Sequence, residues 1–329
     1  MPVIDTHAHW YPREFISLLE KGAAANGAAM SRTSEGNPVF SLPDTLPKSV
    51  MKPPMIEPDL IIKAMDRRRV DAYTLSLTNP MVYWAPPEFG LQLSQTWNDA
   101  SAAVHRSHPE RFIGTIMLPL QAPSLAVREL DRAAKLPGLR AVYMATHVNG
   151  KNLDEREFWP VYARCETLGL PIFLHPLYPC GGDRIGRHFM RNLCGNPYET
   201  GLAAASLVLG GVLDEFPKLT VMLPQAGGTF PWLAGRFNRG HKVRKELKHM
   251  KRRPTDYLRR FYYDTITHHP AIMRFLVELV GADRIVLGSD YDQDMQYERP
   301  VEFVEKVPGL SAREREMILG GNARKLLKL

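Results

Sequence analysis

Short apolar runs rich in β-branched residues alternate along this chain with longer amphipathic stretches. The runs Val3–His9, Asp71–Thr78, Phe112–Leu120, Leu139–Thr146, Pro171–Pro176, Leu219–Ala226, Phe261–Ile266 and Arg284–Asp290 have strand length and are flanked by Gly and Pro. Between them, apolar positions recur at helical spacing over Asp59–Arg69, Leu91–Ser107, Ser124–Leu136, Leu153–Leu168, Glu199–Phe216, Phe230–Arg252 and Ala271–Val280. Arg299–Lys306 and Ser311–Leu327 follow the last strand. Eight strands in strict alternation with helices predict a parallel sheet, and the count of eight predicts a closed (β/α)8 TIM barrel. An open, doubly wound sheet is the alternative. No GxGxxG follows the first strand, which weighs against it.

One segment breaks the pattern. Tyr11–Glu57 is rich in Gly, Ala, Ser and Pro and shows no sustained period. It is expected as a long loop after the first strand, a lid-like insertion over the catalytic face of a single domain spanning residues 1–329.

Composition narrows the class. Apolar residues make up 44% and charged residues 23%, which excludes a mostly disordered, collagen-like or coiled-coil chain. No apolar run is long enough to cross a bilayer, and MPVIDTHAHW lacks the features of a signal peptide. Three scattered cysteines, Cys165, Cys180 and Cys194, suit neither a disulfide framework nor a Cys-rich zinc site. A cytoplasmic setting with no membrane partner is expected.

The formal charge of +7 is a local feature. Residues 236–260 hold eleven Lys/Arg against two acids, so the remainder of the chain is slightly acidic. Such a run can meet nucleic acid, an anionic surface or an anionic substrate, or form a solvated helix face. No recognised nucleic-acid module accompanies it, so no nucleic-acid partner is expected.

Chemistry gathers at the predicted strand ends. In Asp5-Thr-His7-Ala-His9, residues two apart on a strand point to one side, so His7 and His9 aim into one space. His175 closes the fifth strand, and Asp290 closes the eighth in Gly288-Ser-Asp290. A carboxylate at the end of a buried strand needs a partner or a metal. In a barrel these ends share one rim, where active sites sit. Three His and one carboxylate suit one borderline divalent ion, zinc first, with manganese or iron as alternatives.

The chain resembles the amidohydrolase superfamily, in the branch typified by amino-carboxymuconate-semialdehyde decarboxylase. The matching text is IDTHAHWYP, LPLQAPSLAVRELDRA, THVNGKNLDEREFWPVYARCETLGLPIFLHP, GGVLDEFPKLTVMLPQAGGTFPWLAGR, FYYDTITHHP, DRIVLGSDY and GNARKLLKL, over residues 3–329. The resemblance implies a (β/α)8 barrel and one divalent metal held by His7, His9, His175 and Asp290. It also implies homodimers acting on unsaturated or aromatic carboxylates. Of the two arginines that hold the substrate carboxylate in that branch, one matches Arg236, supplied by the neighbouring subunit. The other aligns with Lys52, which keeps the charge but loses the bidentate fork.

One position departs from the family pattern. The branch carries His-Ala-Gly-Gly or His-Gly-Gly-Gly after the sixth strand, with that His as acid/base; this chain has Gln225-Ala-Gly-Gly. Glutamine donates and accepts hydrogen bonds but cannot exchange a proton near neutral pH. His268, which matches a family His, and its neighbour His269 are the candidate proton carriers. Asp292 and Asp294 are further acids nearby, and a substrate bearing its own phenol or enol needs no separate base. Trp10, Trp84, Phe189 and Trp232 are candidates for lining an unsaturated substrate, and Cys180 is a candidate to approach the metal. The expected function is a metal-dependent, non-oxidative decarboxylase of a small aromatic or unsaturated carboxylate. A hydrolase or hydratase on the same scaffold, and a catalytically degenerate partner subunit, are the rivals.

Overall fold

The computed structural model describes residues 1–43 and 48–329. Eight strands pair in parallel in chain order: β1 (Ile4–His9), β2 (Ala72–Ser76), β3 (Phe112–Met117), β4 (Leu139–Ala145), β5 (Ile172–His175), β6 (Val221–Leu223), β7 (Phe261–Asp264) and β8 (Ile285–Val286). The register runs from Ile4 opposite Ala72 round to Tyr263 opposite Ile285. Bonds beyond the short eighth strand bring it back to the first: Thr6 N–H donates to Leu287 O at 2.8 Å and Asp290 N–H to His7 O at 2.9 Å. The ring is thereby nearly closed, as the strict strand–helix alternation predicts for a (β/α)8 barrel.

Outside the sheet pack α1 (Arg13–Gly22), α2 (Pro58–Arg68), α3 (Pro87–Ser107), α4 (Pro123–Ala133), α5 (Trp159–Leu168), α6 (Asn196–Leu209), α7 (Phe230–Val243) and α8 (Pro270–Val280). Most begin with Pro in the first turn, where its missing N–H costs nothing. The strands are buried throughout, which is why they read as near-continuous apolar runs.

Four sequence expectations change. Tyr11–Glu57 carries regular structure: α1, a three-stranded antiparallel sheet (Ala29–Arg32, Pro38–Ser41, Ser49–Val50) and a 3-10 turn at Pro53–Met55. The strands are too short to declare a period, and Asp44–Pro47 lie outside the described residues. The helix expected over Phe230–Arg252 ends at Val243 and gives way to short turns, so the basic stretch is not one helix face. The stretch Glu199–Phe216 breaks at Gly210–Gly211, where Gly211 takes φ +80°. Predicted strands also run past the observed ladders, because Gln225, Ala226 and Asp290 turn into the left-handed region and leave the sheet.

Candidate metal centre and active site

Asp5, His7 and His9 alternate on β1 and all three are buried. His7 and His9 share the top of the barrel with His175 from the end of β5 and Asp290 from the turn after β8. One donor atom from each of the four lies within 4.8 Å of the others. Asp290 Oδ1 stands 3.0 Å from His9 Nε2 and 3.4 Å from His7 Nε2. The three imidazole centroids are 4.7–5.2 Å apart with nearly perpendicular planes, a convergence of edges rather than stacking.

Neighbouring groups set the tautomers. Ser76 Oγ donates to Ala8 O at 2.9 Å, so it accepts from His9 Nδ1–H at 3.0 Å. His7 Nδ1–H donates to Asp264 Oδ2 at 2.9 Å. In both rings the Nε2 lone pair is left facing the cluster, the arrangement that carboxylate–histidine–metal triads use. His7 Nε2 and His175 Nδ1 are buried without a hydrogen-bond partner among the described residues. Four donors around one tetrahedral ion would stand about 3.3–3.6 Å apart. Two orphaned imidazole nitrogens beside a shared carboxylate oxygen therefore fit a divalent metal, and the four residues could hold one.

Electrostatics divide the imidazoles: burial lowers the His7 pKa, but the carboxylates of Asp264, Asp290 and Asp5 outweigh it and raise it. Burial, reinforced by the neighbouring imidazoles, holds His9 and His175 well below the usual histidine pKa, in the neutral ligand form. Burial pushes Asp290 upward, while the facing imidazoles pull it down. Such a carboxylate is costly to hold ionised without a cation.

Asp264 is the residue that sequence reasoning missed. It closes β7 fully buried. Besides His7, its oxygens accept from the backbone N–H of Gln225 at 3.1 Å, Ala226 at 2.8 Å and Ile266 at 3.0 Å. The signal was present in Phe-Tyr-Tyr-Asp: a carboxylate at a buried strand end, the same argument that picked out Asp290. Gly288 permits the close approach, since a Cβ there would stand 2.8 Å from the Asp264 Cβ and 3.1 Å from the His7 Cβ.

A cavity of about 250 Å³ opens beside Asp290, with Gln225 and His268 on its wall among Leu193, Trp232 and Phe275. His268 rests on the Tyr297 ring at 4.7 Å, and the Tyr297 hydroxyl accepts its backbone N–H at 2.6 Å. Burial lowers the His268 pKa, while the charges of Asp290 and Asp264 pull it upward. The Gln225 Oε1 accepts from the Thr200 hydroxyl at 2.7 Å.

Other candidates lie elsewhere. His269 caps α8, its Nδ1 accepting from Ala271 N–H at 3.3 Å, and does not line the cavity. Trp10 is buried, its indole N–H donating to Ile56 O at 3.0 Å and its ring against Trp97. Trp84 packs between Phe40 and Phe89. Both serve the core rather than the cavity wall. Lys52 is exposed where the 3-10 turn at Pro53–Met55 begins, and Arg236 is exposed on α7; neither reaches the cavity of its own chain. Phe189 and Cys180 are exposed, Asp292 accepts from Gln296 Nε2 at 2.8 Å, and Asp294 faces outward.

Known proteins are similar to this chain over nearly its whole length. The 2-amino-3-carboxymuconate-6-semialdehyde decarboxylase of Dictyostelium discoideum is 32% identical over 99% of this chain and 91% of its own length. The structure of Metarhizium anisopliae IDCase superposes with a TM-score of 0.88 at 26% identity, covering 99% of this chain and 97% of that one. The 5-carboxyvanillate decarboxylase LigW of Sphingomonas paucimobilis gives 0.84 at 25% identity, covering 100% and 99%. With the barrel, the rim of His and Asp and a family model matching residues 4–329, the chain belongs to the amidohydrolase family.

Proposed function

We propose that this chain is a metal-dependent, non-oxidative decarboxylase of a small aromatic or unsaturated carboxylate. The observation that carries the reading is the cluster of His7, His9, His175 and Asp290, whose Asp290 lines a largely apolar cavity of about 250 Å³. Drug-sized ligand pockets run to roughly 300–1,000 Å³, so this space suits a one-ring acid. The decarboxylase names carried by relatives at 32% and 25% identity support the same reaction class.

Zinc is the ion we expect, on the strength of three imidazoles and one carboxylate. A bound divalent ion supplies Lewis acidity and a template for a substrate oxygen. The chain's residues then divide the work. The apolar wall at Leu193, Trp232 and Phe275 excludes water and packs the ring. Gln225 orients an oxygen, without exchanging protons. His268 carries the proton that replaces the departing carbon dioxide on the ring carbon, because it is the imidazole on the cavity wall outside the metal cluster.

The functional unit we propose is a homodimer. Trp232, Leu233, Leu193, Ile272 and Phe275 are large apolar side chains left exposed around the cavity mouth. Arg236 lies four residues after Trp232 on α7, hence on the same helix face. A second copy covering this face would hide the apolar groups and bring its Arg236 toward the carboxylate of a neighbouring substrate. Lys52 and the other cations of residues 236–260 would then steer anions toward the mouth. A reducing, cytoplasmic setting fits three cysteines that are all free thiols.

The test is carbon dioxide release from a panel of hydroxybenzoates and muconate semialdehydes by protein whose metal has been identified by elemental analysis. Release with one bound ion per chain is expected. Metal-loaded protein that releases none, yet opens lactones or hydrates enoic acids, overturns the reading.

A further inference from the structure

The residue that departs from the family pattern is held from two sides. Gln225 and Ala226 adopt φ +47° and +53°, a conformation that costs about 1–3 kcal/mol at non-glycine positions unless something imposes it. Asp264 imposes it by accepting both backbone N–H groups. The side chain is fixed separately, by the fully buried Thr200 of α6, whose hydroxyl donates to Gln225 Oε1 at 2.7 Å. Close packing makes that reach constant. A Cβ on Gly201 would stand 2.0 Å from Thr229 Oγ1, and one on Gly228 the same distance from Pro197 O, so α6 and the Gln225 turn leave each other no room.

With the carbonyl end of the amide occupied by Thr200, the NH2 end is left over. Gln225 Nε2 has no protein acceptor among the described residues, and Gln225 lines the cavity beside Asp290. We infer that Gln225 is a specificity residue whose Nε2 donates to an anionic oxygen of the substrate, with Thr200 as the positioning residue that engages the carbonyl end of the amide. A histidine at this position could donate or accept according to its protonation; this amide, with its Oε1 bonded to Thr200, has its two N–H groups left to donate. The substrate class follows: an acid with its carboxylate directed at residue 225, rather than one presenting a hydroxyl proton there. The identity of that acid rests on the decarboxylase reading; the donor subsite itself does not.

Calorimetric titration of the metal-loaded protein with 2,6-dihydroxybenzoate and with resorcinol, the same ring without its carboxylate, tests the inference. Thr200→Val is expected to weaken binding of the acid roughly tenfold, the cost of one charge-assisted hydrogen bond, and to leave resorcinol within about twofold. Thr200→Ser keeps the hydroxyl and is expected to keep parental affinity for the acid. Gln225→Glu, which turns a donor into a like charge, is expected to lose at least about tenfold for the acid alone. A matching melting temperature and near-ultraviolet dichroism certify each fold; should Thr200→Val fail them, Gln225→Glu and Thr200→Ser decide. Equal losses for both ligands, unchanged affinity in Gln225→Glu, or no binding of the acid by the parent overturns the inference. Carbon dioxide release is measured alongside. Its absence with Thr200-dependent binding intact overturns the decarboxylase reading and leaves the donor subsite standing.

Discussion

Asp264 shows how much one side chain decides here. Its carboxylate accepts from His7 Nδ1 and from three backbone amides, so it orients a metal ligand and shapes the Gln225 turn at once. Asp264→Asn keeps the volume but replaces one acceptor oxygen with a donor group. Metal affinity is expected to fall roughly 10–100-fold, the usual cost of losing such a partner, as read by competition with a chelator. His175→Ala removes a ligand outright, and elemental analysis is expected to find metal far below one ion per chain. A variant that retained full occupancy would remove His175 from the ligand set. At His268 the relevant readout is the proton. His268→Gln is expected to lower kcat by at least about 100-fold with a smaller effect on KM, the general acid–base signature. An equal effect on both would make it a binding residue.

At the scale of elements, the turn after β6 and the start of α6 act as one packed unit. Thr229 N–H donates to Pro197 O at 3.2 Å, and Gly228 lies against the same carbonyl at φ +57°. Gly228→Ala combines a left-handed backbone with a clash against backbone, which cannot rotate away. A destabilisation of about 2–4 kcal/mol is expected, measured as a lower melting temperature. An unchanged melting temperature would mean that the turn and α6 separate easily, and with them Thr200 and Gln225. The same unit explains why strands shorten where the chemistry begins. Residues 225, 226 and 290 leave the ladder in left-handed conformations, which aims their side chains or amides at the site instead of along the barrel wall.

For the whole molecule, the four residues of the proposed metal site come from opposite ends of the chain. His7 and His9 stand on β1, His175 on β5 and Asp290 after β8, where hydrogen bonds between the eighth and first strands complete the ring. A metal at this junction binds the folded chain and not the unfolded one. It is expected to stabilise the barrel by about 3–4 kcal/mol at 100–1,000 times its dissociation constant. Removal by chelation should therefore lower the melting temperature, and readdition should restore it. The exposed apolar mouth belongs to this scale too. Trp232→Asp is expected to shift the proposed dimer toward monomer in sedimentation, with KM raised as Arg236 is withdrawn. A wild-type monomer at micromolar concentration would remove the second subunit from the reading.

The eight-strand barrel and the convergence of His7, His9, His175 and Asp290 were legible in the chain because both rest on local rules. Strand length, turn residues and a period of two place His7 and His9 together, and strand ends share one rim once the barrel closes. Asp264 was legible by the same rule and was passed over, since its partner lies 257 residues away and its role is visible only through His7. Asp44–Pro47 apart, the Tyr11–Glu57 segment folds into α1 and a small sheet whose strands are too short to show a period. Tertiary structure alone assigned Trp10 and Trp84 to packing, His269 to a helix cap and Gln225 to the hydroxyl of Thr200. Each depends on which way a side chain faces once distant elements have docked, and that direction is a property of the packed molecule. The sequence by itself determined the barrel, its rim of His7, His9, His175 and Asp290 and the glutamine in place of histidine; the docking of α6 against the Gln225 turn decided which end of that glutamine Thr200 engages.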